Sequence, residues 1–241
     1  MQSLATLDRP TLVSLAQLAE HAERFEDMAE IMKELVMRHK CLETSEIHLL
    51  ATAYKHVIHR VRIALRVVAE ARRQDPAMDN RSVTTYESEL ETEYERHCTE
   101  MLTLLSDYLL PAAQGHDLIC LLKTQGDYHR YLAQVTSDES HLALGRQSYS
   151  EAYKLAKDSL VTTHAFRLGL ALNFSVFIYE VLMAPQEAYD LAYDAFEAAT
   201  LELDVISPEG SSDHLRETAL TLQLIQSNLK LWIADGLVVS R

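Results

Sequence analysis

Apolar positions recur along the chain at the three-to-four-residue spacing of a helix face, and the breaks between these runs coincide with prolines or capping residues. All five prolines, Pro10, Pro76, Pro111, Pro185 and Pro208, fall between or at the start of such segments, where a missing amide proton costs least. Thr136 with Glu139 reads as a capping box, Thr163 as an N-cap before the run from 164, and Ser207 as an N-cap before Pro208. These signals predict nine helices, over 9–22, 24–38, 44–73, 79–109, 114–136, 138–160, 164–183, 185–204 and 210–234. Short connections between long helices favour antiparallel neighbours, so the expected fold class is all-α. The alternative architecture is a tetratricopeptide-like array, although no 34-residue self-similarity is evident.

Composition narrows the picture in the same direction. Six glycines and five prolines make up about 5% of the 241 residues, against roughly 12% in average usage, which disfavours turn-rich sandwiches and barrels. The apolar fraction of 48% is enough to fill a substantial core. Twenty-two Lys and Arg against thirty-six Asp and Glu give a net charge of −14, so the mean field repels nucleic acid and anionic lipid. Neither nucleic acid nor a membrane is an expected partner. The most apolar stretch, between Arg167 and Glu180, is too short for the roughly 20 residues of a membrane span. MQSLATLDRP reaches Asp8 and Arg9 before any apolar run, so no signal peptide is expected. The odd, widely spaced cysteines Cys41, Cys98 and Cys120 fit a reducing compartment, and a cytoplasmic location is expected.

Chemistry for catalysis is missing. None of the eleven histidines lies in an HExxH pattern or follows a Glu by three residues, and His56 and His59 lack nearby carboxylate or thiol ligands in sequence. There is no Walker A loop, GxGxxG or GxSxG motif. The expectation is a protein that is not an enzyme and holds no metal and no cofactor.

One segment inverts the global charge. Between Lys55 and Arg73 stand Lys55, Arg60, Arg62, Arg66, Arg72 and Arg73 against one acid, Glu70. Arg72 and Arg73 complement the macrodipole at the end of the 44–73 helix. Lys55 and Arg62, seven apart, differ by about 20° in direction, and Arg66 follows Arg62 at i+4. Like charges so placed disfavour an isolated helix unless an anion or carboxylates neutralise the stripe. From the residues alone, structural ion pairs and an anion site both account for it. The 185–217 segment is the reverse, with nine acids and one base, Arg216, and reads as a solvated face.

Three segments, AYKHVIHRVR (53–62), GDYHRYLAQV (126–135) and RLGLALNFSVFIYE (167–180), together resemble the 14-3-3 proteins. LAEHAERFEDM (18–28) and LQLIQSNLKLW (222–232) support the likeness, which covers essentially the whole chain in order. The resemblance implies a single domain over 1–241: nine antiparallel helices in a curved, L-shaped bundle with a concave amphipathic groove. Helices within 9–38 would serve dimerisation and those within 44–234 would form the groove. It also implies a phosphoserine- or phosphothreonine-binding adaptor that regulates client proteins in signalling.

Carried over by motif, Lys55, Arg62 and Arg130 would clamp the phosphate, with the Tyr131 hydroxyl as a further donor. A phosphoresidue brings about −1.5 to −2 charge and three acceptor oxygens, which suit guanidinium forks and a phenol. Asn173 and Asn228 would bond the peptide main chain, and Leu172, Val176, Leu220, Leu224 and Trp232 would form an apolar wall. Arg66 would stand beside the clamp, and the acids Asp127 and Glu180 would orient the basic cluster. At the dimer interface the likeness places Leu12, Leu15, Ala16, Arg24, Asp27, Glu89 and Glu93.

The chain departs from the family pattern in several places. Val61, Ala64 and Leu65 replace a frequent arginine, regulatory serine and tryptophan, so control of assembly by phosphorylation at 64 is not expected. Gln125 replaces a groove lysine. Glu89 stands where a lysine would face Asp27, so the expected partner is a second copy or a paralogue, in a dimer that is weaker or differently paired. The competing functional reading is a tetratricopeptide-like scaffold that binds unphosphorylated or acidic peptides.

Overall fold

The structure is a computed structural model that describes residues 4–75, 80–136, 138–203 and 212–239, with the backbone only for 212–215. After a short 3-10 turn, Leu4–Thr6, the described residues form α1 (Arg9–His21), α2 (Phe25–His39), α3 (Thr44–Gln74), α4 (Arg81–Thr103), α5 (Gly115–Ala133), α6 (Ser140–Ser159), α7 (Ala165–Glu180), α8 (Pro185–Leu203) and α9 (Ser212–Ala234). These nine helices, with no strand among the described residues, agree with the sequence expectation. The chain folds as two compact units, Met1–Thr124 and Gln125–Arg241.

Several helix starts follow side chains that accept the orphan amide protons of the first turn. Asp8 accepts from the Thr11 amide at 3.0 Å, with Pro10 inside the first turn where its missing proton costs nothing. Glu43 and Glu46 form a reciprocal capping box on α3. Asn80 accepts from the Ser82 and Val83 amides. Two expected caps lie elsewhere. Asp138, not Thr136, accepts from the Ser140 amide at 2.9 Å, while the Thr136 hydroxyl bonds the Leu132 carbonyl and finishes α5. His164, not Thr163, caps α7 through the Phe166 amide, and the buried Thr163 gives its carbonyl to the Thr218 hydroxyl at 2.8 Å. Ser207 and Pro208, together with Pro76, lie outside the described residues.

The helix expected over 79–109 changes character before it ends. Leu104–Leu109 is a π-helical segment, followed by a 3-10 turn at Leu110–Ala112. Pro111 has no amide proton and its ring crowds the carbonyl one turn earlier, so the ladder loosens ahead of it; the Leu110 amide reaches back to the Leu105 carbonyl.

In the first unit α2 packs on α1 and α3, and α3 on α4. Its core contains Leu12, Ala16, Met28, Met32, Leu35, Leu50, Tyr54, Tyr94 and Met101. The charged groups that enter this packing are paired. The Arg9 Nε donates to Glu46 at 2.9 Å, and Glu100 accepts from Lys33 Nζ at 2.7 Å and from the Tyr54 hydroxyl. In the second unit α7 packs on α6, α8 and α9. Being covered on three sides explains why its sequence is apolar nearly all round rather than striped. Leu168, Leu170, Ala171, Phe174, Phe177 and Ile178 are buried there, with Tyr149, Tyr189, Ile225 and Trp232 around them. No described helix is long and apolar enough to cross a membrane.

Candidate functional site

In the first unit, α3 buries Leu50, Ala53, Tyr54, Val57, Ile58 and Val61 and turns Lys55, Arg62 and Arg66 outward. The stripe inferred from angular spacing is therefore present as an exposed row. Its other cations have local partners. Arg60 pairs with Glu26 and lies 3.8 Å from Glu93; Arg72 pairs with Glu87 and Arg73 with Glu70. Within this unit no described carboxylate lies within ion-pair distance of Lys55 or Arg66. Lys55 and Arg66 thus differ from Arg60, Arg72 and Arg73, whose charges meet carboxylates. His56 is exposed and stacks on Phe25 with centroids 3.8 Å apart, a surface contact.

The second unit holds its charge differently. Asp127, on α5, is buried, and one of its oxygens, Oδ1, is the shared acceptor of a small network. It receives the Tyr149 hydroxyl from α6 and Asn173 Nδ2 from α7 at 3.0 Å, and Arg130 Nη2 stands 3.6 Å away. Arg130 also lies over the Tyr131 ring, 4.9 Å from its centroid. Burial works against the Arg130 charge, but Tyr149, Asp127 and Tyr131 outweigh it and hold its pKa above the ordinary value. Burial, reinforced by Asp127, pushes the Tyr149 phenol well above its usual range, so it stays a neutral donor.

Two consequences follow for chemistry. Asn173 spends a donor on Asp127, which leaves its amide oxygen to accept a main-chain N–H. Arg130 is fixed in direction yet incompletely satisfied: its Nε is buried with no hydrogen-bond partner. Sequence motifs found Asp127, Arg130 and Asn173 but missed Tyr149. A signal for it exists in Gly126, since a Cβ there would sit 2.9 Å from the Tyr149 ring and only glycine lets α5 and α6 approach so closely.

The apolar wall divides. Leu220 and Leu224 are 54% and 57% exposed on α9, Asn228 is half-buried one turn further, and Leu172 and Val176 are half-buried on α7. Trp232 does not belong to an exposed wall. It is 3% exposed and stacks on Tyr179 at 4.7 Å, because it continues the buried stripe Thr218, Leu222, Ile225 and Leu229 rather than the outward row. Glu180 is also misplaced by sequence reasoning. It is exposed at the end of α7 and borders a cleft shared with Asp138 and Glu139, an acidic setting in which it pairs with no cation among the described residues.

The expected interface residues need a similar correction. Leu12 and Ala16 have no accessible surface, since α1 uses this stripe to pack on α2; Leu15, half-buried, and Leu18, 63% exposed, are what α1 presents. Within the protomer Arg24 pairs with Asp27 three residues on, and Glu93 lies near Arg60 and His97. Glu89 is exposed on α4 between Thr85 and Thr92. Among the described residues no group of three or more His, Cys, Asp or Glu side chains is placed to hold a metal ion.

The first unit thus turns Lys55, Arg62 and Arg66 outward, and the second sets Arg130 beside Tyr131 and bonds Asn173 to Asp127. The 14-3-3 protein family model matches residues 15–233, nearly the whole chain. The protein therefore belongs to the 14-3-3 family.

Proposed function

We propose that the protein is a non-enzymatic adaptor that binds client segments carrying phosphoserine or phosphothreonine. Lys55 and Arg62 in the first unit, with Arg130 and Tyr131 in the second, supply the phosphate contacts. Asn173 and Asn228 bond the peptide main chain, and Leu172, Val176, Leu220 and Leu224 meet its apolar side chains. Arg66 and Asp127 support the cations, and the protein pairs with a second copy or a paralogue.

The observation that carries this reading is the state of Arg130. Its side chain is only 15% exposed, its nearest carboxylate oxygen is 3.6 Å away, and its Nε lacks a partner. Its neighbours keep the guanidinium charged and fixed in direction while leaving an N–H unspent, and a dianionic guest is the chemistry that uses such a donor. Family membership supports the adaptor role in general.

The test is Arg62→Ala, at an exposed position of helix α3. Each charge-assisted hydrogen bond is worth about 1.5–3 kcal/mol, so affinity for a phosphoserine peptide should fall about tenfold or more. Circular dichroism should stay unchanged. Equal affinity of variant and parent would remove Arg62 from the site.

A further inference from the structure

A second polar and apolar surface lies in the first unit, on α2 and the end of α4, and the phosphopeptide reading makes no use of it. A groove of about 420 Å³ is bordered by Lys33 and Met37 from α2, Arg96, Thr99 and Glu100 from α4, and Leu104 and Tyr108 from the π-helical segment. That volume is within the range of small-molecule sites. The π-helical segment re-aims side chains at the end of α4, and such insertions recur at binding sites.

The polar atoms of the groove are unevenly matched. Its one carboxylate, Glu100, is consumed by Lys33 Nζ and the Tyr54 hydroxyl. Arg96, in contrast, has no carboxylate within ion-pair distance among the described residues. One of its N–H groups meets His97 Nε2 at 2.8 Å, which fixes that nitrogen as an acceptor because guanidinium only donates. The remaining N–H groups of Arg96, and the hydroxyls of Thr99 and Tyr108, have no partner among the described residues. Met37, 46% exposed, and Leu104 supply an apolar floor beside these donors. With the Lys33–Glu100 pair neutral, the groove carries one net positive charge and a surplus of donors.

We propose that this groove binds a small organic anion with an apolar body: a carboxylate head on Arg96, with Thr99 and Tyr108 donating, and a tail along Met37 and Leu104. This site is independent of the phosphopeptide site.

Sodium decanoate is the probe, titrated into the full-length protein and followed by amide NMR spectra. Saturable shifts should cluster at residues 33, 37, 96, 99, 104 and 108. Arg96→Gln and Met37→Glu, both at exposed positions, should each weaken decanoate binding about tenfold or more while leaving phosphopeptide affinity unchanged. Decanol, which lacks the charge, should bind much more weakly. The assignment is overturned if decanoate shifts other residues, if decanol binds equally well, or if Arg96→Gln has no effect. It is overturned as well if the same residues shift with protein concentration alone, which would assign the groove to a second copy of the chain.

Discussion

Asp127→Asn isolates the electrostatic part of the network that fixes Arg130. The substitution keeps size and one acceptor oxygen, which suffices for the Tyr149 hydroxyl and Asn173 Nδ2 because both use Oδ1. What disappears is the negative charge 3.6 Å from Arg130 Nη2. At an effective dielectric constant of about 20, that separation corresponds to roughly 4–5 kcal/mol of attraction. Relief of the desolvation cost of a buried carboxylate offsets part of it, and breaking a buried pair from one side typically costs about 3–5 kcal/mol. Asp127→Asn should therefore lower the unfolding free energy by about 2–4 kcal/mol in urea titrations. In an Arg130→Met background the same change should cost far less or stabilise, because the carboxylate is then the unpaired charge. A loss below about 0.5 kcal/mol, or equal losses in both backgrounds, would refute the coupling of Asp127 to Arg130.

Gly126→Ala should destabilise by about 1–3 kcal/mol, since the new Cβ meets the fully buried Tyr149 ring at 2.9 Å; a thermal melt equal to the parent's would show that α5 and α6 are further apart. Burial, with His141 beside it at 3.0 Å, lowers the His129 pKa from its usual value to about 4, so the unfolded chain binds the extra proton first. Its contribution is complete above about pH 6.5 and is lost as pH falls toward 4, by up to about 3 kcal/mol; in His129→Phe this component of the pH dependence of urea unfolding should vanish. Trp232→Ala should cost about 3–5 kcal/mol in stability, as expected for a stacked core residue, whereas Leu224→Ala, at an exposed position, should change stability little and peptide affinity more.

Sequence reasoning located the helices because proline and helix-period runs fix where a chain can leave a helix. Individual caps were less legible. Around residues 136–139 several side chains can accept a first-turn amide, and only backbone geometry selects Asp138 over Thr136. The π-helical segment was invisible because its cause, Pro111, acts on residues before it. In the network around Asp127, the residues Asp127, Arg130 and Asn173 stand in segments the sequence singled out, and Tyr149, an ordinary tyrosine in an ordinary helix, does not. Leu12, Ala16 and Trp232 show the opposite failure: an apolar residue type says that a side chain leaves water but not whether its own core or a partner receives it. The His129–His141 contact joins two helices, and no single-segment pattern reports it.

Isothermal titration of one client-like peptide in three forms, phosphoserine, unmodified serine and glutamate, tests the proposed function most directly. The phosphorylated form should bind at least about a hundredfold more tightly than either other form, because only it brings a dianion with three acceptor oxygens to Lys55, Arg62 and Arg130. Equal affinity for all three forms would contradict phosphate recognition and would make the protein a scaffold for unmodified peptides.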